Sequence, residues 1–263
     1  MFHYTKAVLK VGLNIAFSSL TWMRKYAKEN NKDIDFNKRY KKLSKFVNKI
    51  SKALQADFII DGLENIPSDN NFFLAPNHLS DYDPLAILSI LDKPSTFVAK
   101  KEIENFPFIG LAVKDIDGLF LDRSDIKASL KSMLYVENDL LKKEKSWIIF
   151  PEGTRNKDNM ILMKEFHHGT FRAPMRSKTI IIPVAIYGTF RILKFKPQFK
   201  KYPIFIKFLP PIYPEQYKDL STQEMAIVVQ NEIQKTISFE LRQKDHEYML
   251  KQKNKKYRFN RTY

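Results

Sequence analysis

Seven short apolar runs, rich in β-branched and aromatic residues, restrict this chain more than any other feature. They are Phe58–Ile60, Phe72–Ala75, Thr96–Ala99, Gly118–Leu121, Trp147–Phe150, Ile180–Ile186 and Ile204–Phe208. Each has the length and composition of a strand, and several are apolar at nearly every position, as strands covered on both faces are. Helical spacing separates some of them. Pro84–Leu91 is predicted as a helix with Asp83 as N-cap and Pro84 at the first helical position. Asp125–Leu141 places Ile126, Leu130, Leu134 and Leu141 at helical intervals, and Ser221-Thr222-Gln223-Glu224 is a capping box opening a helix to about Leu241. This alternation predicts an α/β domain over residues 56–241, built on a mostly parallel or mixed central sheet with flanking helices.

What lies outside that domain is basic. Of a net charge of +16, residues 1–55 carry 13 Lys/Arg against 3 Asp/Glu, and residues 242–263 carry 8 against 2. The body between them is balanced, with 24 of each. Two basic ends on a neutral body predict a polyanionic partner, and their texture favours an anionic membrane surface over nucleic acid. Ala7 to Met23 is mostly apolar but shorter and wetter than a spanning helix of roughly 20 apolar residues. It has no small-residue cleavage signature, which argues against a signal peptide. From Phe36 to Leu54, apolar residues recur every three or four positions with lysines and an arginine between them, the pattern of a basic amphipathic helix in a headgroup plane. A two-helix cap packed on the body is compatible with that pattern. Residues 242–263 are expected to form a basic tail, whose last stretch, Lys251 to Tyr263, interleaves basic and aromatic residues.

The chain has no cysteine, which excludes disulfides, thiolate metal sites and a Cys nucleophile. Its five histidines lack metal-ligand spacing, so no metal is expected, and there is no Walker loop or dinucleotide fingerprint. Two strand-to-turn segments carry the candidate chemistry. In Pro76-Asn77-His78-Leu79-Ser80-Asp81-Tyr82-Asp83-Pro84 an apolar strand ends in a polar turn that runs into a helix. Residues five apart on one helix diverge by roughly 140°, so His78 and Asp83 can meet only with His78 in the loop and Asp83 at the helix start. A carboxylate there fixes the imidazole tautomer and leaves the other nitrogen basic. Asp81 competes for that place. In Phe150-Pro151-Glu152-Gly153-Thr154-Arg155-Asn156-Lys157, Gly153 permits close backbone approach, Arg155 offers a planar fork suited to phosphate or carboxylate, and Lys157 adds a point charge.

Together these segments resemble the glycerolipid acyltransferase superfamily. Asn-His-Leu-Ser-Asp-Tyr-Asp is similar to its His-x4-Asp block, and Phe150–Arg155 to its acceptor-binding block. Ala99-Lys100-Lys101-Glu102, Gly118–Arg123 and Ile181–Ala185 resemble weaker blocks, so the resemblance covers about residues 72–188. The subgroup most similar is 1-acylglycerol-3-phosphate (lysophosphatidic acid) acyltransferase, which also carries an N-terminal helical pair on the membrane. One departure is Phe166-His167-His168-Gly169, where the family commonly has Phe-Lys-x-Gly.

The resemblance implies acyl transfer from acyl-CoA or acyl carrier protein, as co-substrate, to a lysophospholipid hydroxyl, with no cofactor. It implies His78 as general base and Asp83 as its holder. The acceptor phosphate would meet Lys100, Arg123 and Arg155, with Glu152, Gly153 and Thr154 shaping the glycerol pocket. The expected location is the cytoplasmic face of the cell membrane, peripheral or monotopic. Another lysophospholipid or glycerol 3-phosphate is the alternative acceptor. A nucleic-acid-binding or non-catalytic scaffold protein is the alternative outside the class.

Overall fold

The computed structural model describes residues 12–27, 34–68, 71–122, 125–156, 163–192 and 201–251. Seven strands form one sheet: β1 (Ala56–Asp61), β2 (Phe72–Pro76), β3 (Ser95–Lys100), β4 (Leu119–Leu121), β5 (Ser146–Ile148), β6 (Ile180–Tyr187) and β7 (Tyr202–Phe208), in the order β1-β7-β6-β2-β5-β3-β4. All neighbours are parallel except β6 and β7, so the sheet is mixed, as the strand–helix alternation predicted.

The helices are α1 (residues 12–26, with a π-helical stretch at Ser19–Met23), α2 (Phe36–Ala53), α3 (Asp83–Ile90), α4 (Ile109–Asp115), α5 (Ile126–Leu141), α6 (Arg172–Arg176), α7 (Pro214–Tyr217), α8 (Thr222–Thr236) and α9 (Arg242–Lys251). Side chains alternate across a strand. Phe72 and Leu74 of β2 therefore join α2, α3 and α4 in one apolar cluster, while Phe73 and Ala75 join α5 and α8 in the other. The central strands are thus covered on both faces, which is why they read as unbroken apolar runs.

The helix starts follow from local chemistry. Asp35 accepts the Lys38 N–H at 3.0 Å to open α2 and Asp125 accepts that of Ala128 at 3.0 Å to open α5. The capping box at Ser221 is formed, with Ser221 N–H donating to Glu224 Oε2 at 2.8 Å.

Two boundaries differ from the sequence-based expectation, and the choice left open for the face of α2 is decided. Asp83 is the first residue of α3 rather than its N-cap, and its carboxylate turns back onto the preceding loop. The apolar face of α2 does not face outward: Tyr40, Leu43, Val47 and Ile50 are buried in the cluster beneath β2 and β6. Burying a Leu or Val side chain contributes about 1.5–3 kcal/mol, and here that contribution goes to the domain. Residues 242–251 are also not a tail. They continue α8 through a π-helical stretch at Ile237–Leu241, and Asp245 is buried against Arg191 with contacts of 2.8 and 2.6 Å. The Lys/Arg-rich remainder, residues 252–263, lies outside the described residues.

Candidate active site

The parallel strands β2, β5, β3 and β4 end on one edge of the sheet, where open α/β folds place their ligands. The loop after β2 carries His78, the turn after β5 carries Glu152 to Arg155, and β3 ends at Lys100. Arg123, just beyond β4, and Lys157 lie outside the described residues.

Asn77 determines how the β2 loop leaves the sheet. Its buried amide donates to Ile186 C=O at 3.0 Å and accepts Ile186 N–H at 2.7 Å. A side chain thus extends the β2–β6 ladder past Pro76, and the backbone is free to turn at His78. From that turn, His78 Nδ1 sits 2.8 Å from Asp83 Oδ2. The same oxygen accepts Leu79 N–H at 2.6 Å and Ser80 N–H at 2.7 Å. Three donors on one buried oxygen hold the carboxylate against the ring, with Nδ1 as the protonated nitrogen. Nε2 is then the basic one. The ring lies 4.3 Å, centroid to centroid, from Phe150 and keeps 16% of its side-chain surface open, so it is walled in without being sealed.

Glu152 joins the two loops. It is 1% exposed. Oε1 accepts the His78 backbone N–H at 2.7 Å and Oε2 accepts Lys164 N–H at 2.9 Å. Burial pushes its carboxyl up to about 7, against the pull of those two N–H donors. Asn156 N–H returns to His78 C=O at 2.9 Å, so His78 is tied at both its backbone groups. Both Glu152 oxygens therefore face backbone, and its expected part in the acceptor pocket becomes a hold on the loop of His78. Gly153 takes φ +66°, which its turn requires, and Thr154 is exposed beside it.

Asp81, the rival partner for His78, is engaged elsewhere: its Oδ2 lies 2.5 Å from Arg155 Nη1. Lys100 pairs with Glu102 at 2.5 Å, both side chains more than half exposed. Strands stand ~4.8 Å apart and β5 separates β2 from β3, so the end of β3 lies roughly 10 Å across the edge from that of β2. The segment replacing Phe-Lys-x-Gly lies under the same turn: His167 N–H donates to Pro151 C=O at 2.9 Å, with both histidines exposed. Among the described residues no group of three His, Cys, Asp or Glu side chains is placed to hold a metal ion.

This arrangement can remove a proton from a hydroxyl at Nε2 and hold an anion at Arg155 close by. Sequence reasoning assigned no role to Asn77, Phe150, Asn156 or Lys164. Asn77, Phe150 and Asn156 lay inside the two segments already singled out, which could have prompted one, whereas Lys164 carried no such signal.

Comparison with known proteins bears on the same segments. The sequence model described as Acyltransferase matches residues 57–187, from β1 to the end of β6. A "Probable 1-acyl-sn-glycerol-3-phosphate acyltransferase" of Mycoplasma pneumoniae is 28% identical over 211 residues, covering 75% of this chain and 77% of that protein. A 1-acyl-sn-glycerol-3-phosphate acyltransferase of Borreliella burgdorferi is 28% identical over 131 residues, covering 50% of this chain and 51% of that protein. The crystal structure of the 1-acyl-sn-glycerophosphate (LPA) acyltransferase, PlsC, of Thermotoga maritima superposes with a TM-score of 0.66 at 23% identity, over 87% of this chain and 94% of that one. That likeness is one of fold. With both polar loops inside the matched segment, the chain belongs to the acyltransferase family.

Proposed function

We propose that this enzyme transfers an acyl group from a thioester to the sn-2 hydroxyl of 1-acylglycerol 3-phosphate, giving phosphatidic acid. The observation that carries the reading is the His78–Asp83 contact of 2.8 Å, beside a turn that presents Arg155. His78 Nε2 takes the acceptor hydroxyl's proton as the oxygen attacks the thioester carbonyl. The tetrahedral intermediate collapses with loss of the thiolate, which takes the proton from the imidazolium. Asp83 holds the ring and stabilises its charged form during the transfer. Arg155 and Lys100, with Arg123 after β4, take the acceptor phosphate. Glu152 keeps His78 in place, and Gly153 and Thr154 border the acceptor. Acyl-CoA or acyl carrier protein serves as donor.

The acceptor is an amphiphile, and the fold offers a surface on which to meet it. On α1, Leu13, Phe17 and Leu20 lie on one face and are 67%, 69% and 63% exposed. Trp22 of the same helix packs on Phe46 (5.8 Å), and Phe46 on Phe108 (5.8 Å), in the segment that follows β3 on the site's edge. Phe106 in that segment is exposed as well. No helix among the described residues is long and apolar enough to cross a membrane. We therefore place the enzyme peripherally on an anionic leaflet through α1, with its neighbouring lysines and arginines toward the headgroups.

The test is release of free thiol on mixing the protein with 1-acylglycerol 3-phosphate and each donor in turn. The wild type should release thiol with one donor or both, and His78→Ala should release none while retaining its fold. Full activity of His78→Ala would refute the general-base assignment.

A further inference from the structure

Asp81 stands between the two members of the dyad in sequence, three residues after His78 and two before Asp83, yet takes no part in it. Its carboxylate reaches across to the turn after β5 and pairs with Arg155. We infer that Asp81 is an internal stand-in for the acceptor phosphate: it occupies Arg155 in the free enzyme, and the incoming phosphate displaces it. The inference rests on the reading of Arg155 as part of the phosphate seat.

Three features support displacement over permanent pairing. The first is exposure. The side chains of Arg155 and Asp81 are 37% and 53% open, so water can replace either partner at once and separating them costs little. The second is geometry. Among the described residues the pair uses Nη1 alone, a single contact from a group that can present two parallel donors. A phosphate monoester carries roughly −1.5 to −2 charges near neutral pH and can take both donors of the fork, so it outcompetes a carboxylate of single charge held at one nitrogen. The third is division of labour. Asp83 is already committed to His78, Leu79 and Ser80, so releasing Asp81 leaves the base in position.

A stand-in of this kind tunes selectivity. An unpaired guanidinium beside the base would collect any small anion. With Asp81 in place, an anion must be charged and shaped well enough to win the exchange, and inorganic phosphate or carboxylates bind less. The pair therefore raises the acceptor's KM modestly and raises the inhibition constant of competing anions with it.

The test is Asp81→Asn, assayed with 1-acylglycerol 3-phosphate and with inorganic phosphate as inhibitor. Breaking an exposed pair is worth a factor of about two to five in an equilibrium constant. KM for the acceptor should fall by that factor, the inhibition constant for inorganic phosphate should fall in parallel, and kcat and the KM of the thioester donor should stay as in the wild type. An acceptor KM that is unchanged or raised, or a lost kcat, would overturn the inference, because a carboxylate that orients Arg155 for the substrate predicts a rise. Arg155→Ala separates the layers. If it raises the acceptor's KM while Asp81→Asn does not lower it, displacement alone fails. If Arg155→Ala leaves that KM unchanged, the phosphate seat fails and the inference with it. In the double variant, Asp81→Asn should have no further effect.

Discussion

His78 Nδ1 lies 2.8 Å from Asp83 Oδ2, and that single oxygen also receives the backbone N–H groups of Leu79 and Ser80. The carboxylate therefore has two tasks. It organises the loop, and it sets which imidazole nitrogen is left to accept a proton. Asp83→Asn tests them apart, because the amide keeps an oxygen for the loop while losing the charge that stabilises the imidazolium. Its kcat is expected to fall by roughly 10²–10⁴-fold, the range general base catalysis contributes, with little change in acceptor KM. Steady-state kinetics beside a circular dichroism spectrum would check it. Retention of wild-type kcat would show that the ring needs no anionic partner.

Glu152 is expected to make activity and stability move in opposite directions with pH. Its carboxyl, pushed up to about 7 by burial, accepts the His78 and Lys164 N–H groups most strongly when ionised. As pH falls through about 7 the proton occupies one of those acceptors, the loop of His78 loosens, and kcat should drop. For stability the sign reverses. The folded-state value lies above the ordinary 4.5, so the folded chain binds more protons than the unfolded chain between about 4.5 and 7, and this group's contribution to stability declines as pH rises across that window. Glu152→Gln removes the ionisation and leaves an amide N–H2 facing one N–H donor. It should lower kcat at all pH values, abolish the step near 7, and destabilise by about 1–3 kcal/mol at low pH. A pH–rate profile and melting temperatures between pH 5 and 8 would show both trends.

The sheet was legible in the chain because its central strands are covered on both faces, leaving little but apolar residues from Phe72 to Ala75 or from Ile180 to Ile186. The seven expected runs each overlap a strand, the fifth only at Trp147 and Ile148. What could not be read was which partner takes an amphipathic face. The pattern of Tyr40, Leu43 and Val47 is the same whether lipid or the domain covers it, and only the fold shows that the domain does. The site divides similarly. Spacing and residue type bring His78 and Asp83 into reach of each other but leave Asp81 as a rival, and it is the resemblance that implies Asp83. The engagement of Asp81 by Arg155, and of Glu152 by backbone N–H groups, depends on how two loops 74 residues apart in sequence meet at one sheet edge.

The burial of α2 changes how membrane binding should be tested. Removing residues 1–55 would strip Tyr40, Leu43, Val47 and Ile50 from the main apolar cluster and destabilise the domain along with any lipid contact. Replacing Leu13, Phe17 and Leu20 by serine touches only exposed positions. Each apolar side chain moved from water to lipid contributes about 1.5–3 kcal/mol when fully buried, so the triple variant should lose more than tenfold in vesicle partitioning at unchanged melting temperature. The loss should persist at high salt, where attraction between basic residues and anionic headgroups is screened. Sedimentation with anionic vesicles at two salt concentrations would measure it. Unchanged partitioning would move the lipid contact away from α1.

The end of the chain offers a sharper division. Arg191, in the turn that follows β6, and Asp245 on α9 form a two-contact pair with both side chains 1% exposed, and Tyr248 on the same helix donates to Asp57 of β1 at 2.5 Å. The helix from Thr222 to Lys251 is thereby fixed to the strands, although its second half belongs to a segment that by charge alone reads as a solvated basic tail. Removing one partner of a buried pair leaves an uncompensated charge, so Asp245→Ala should destabilise by about 3–5 kcal/mol. Replacing both residues with apolar side chains of similar volume should restore most of that loss, because no charge is then left in the interior. Truncation after residue 241 should behave like Asp245→Ala or worse, whereas truncation after residue 251 should leave the melting temperature near that of the full chain. Urea denaturation of these variants would settle the assignment: equal stability of the two truncations would return residues 242–251 to the tail.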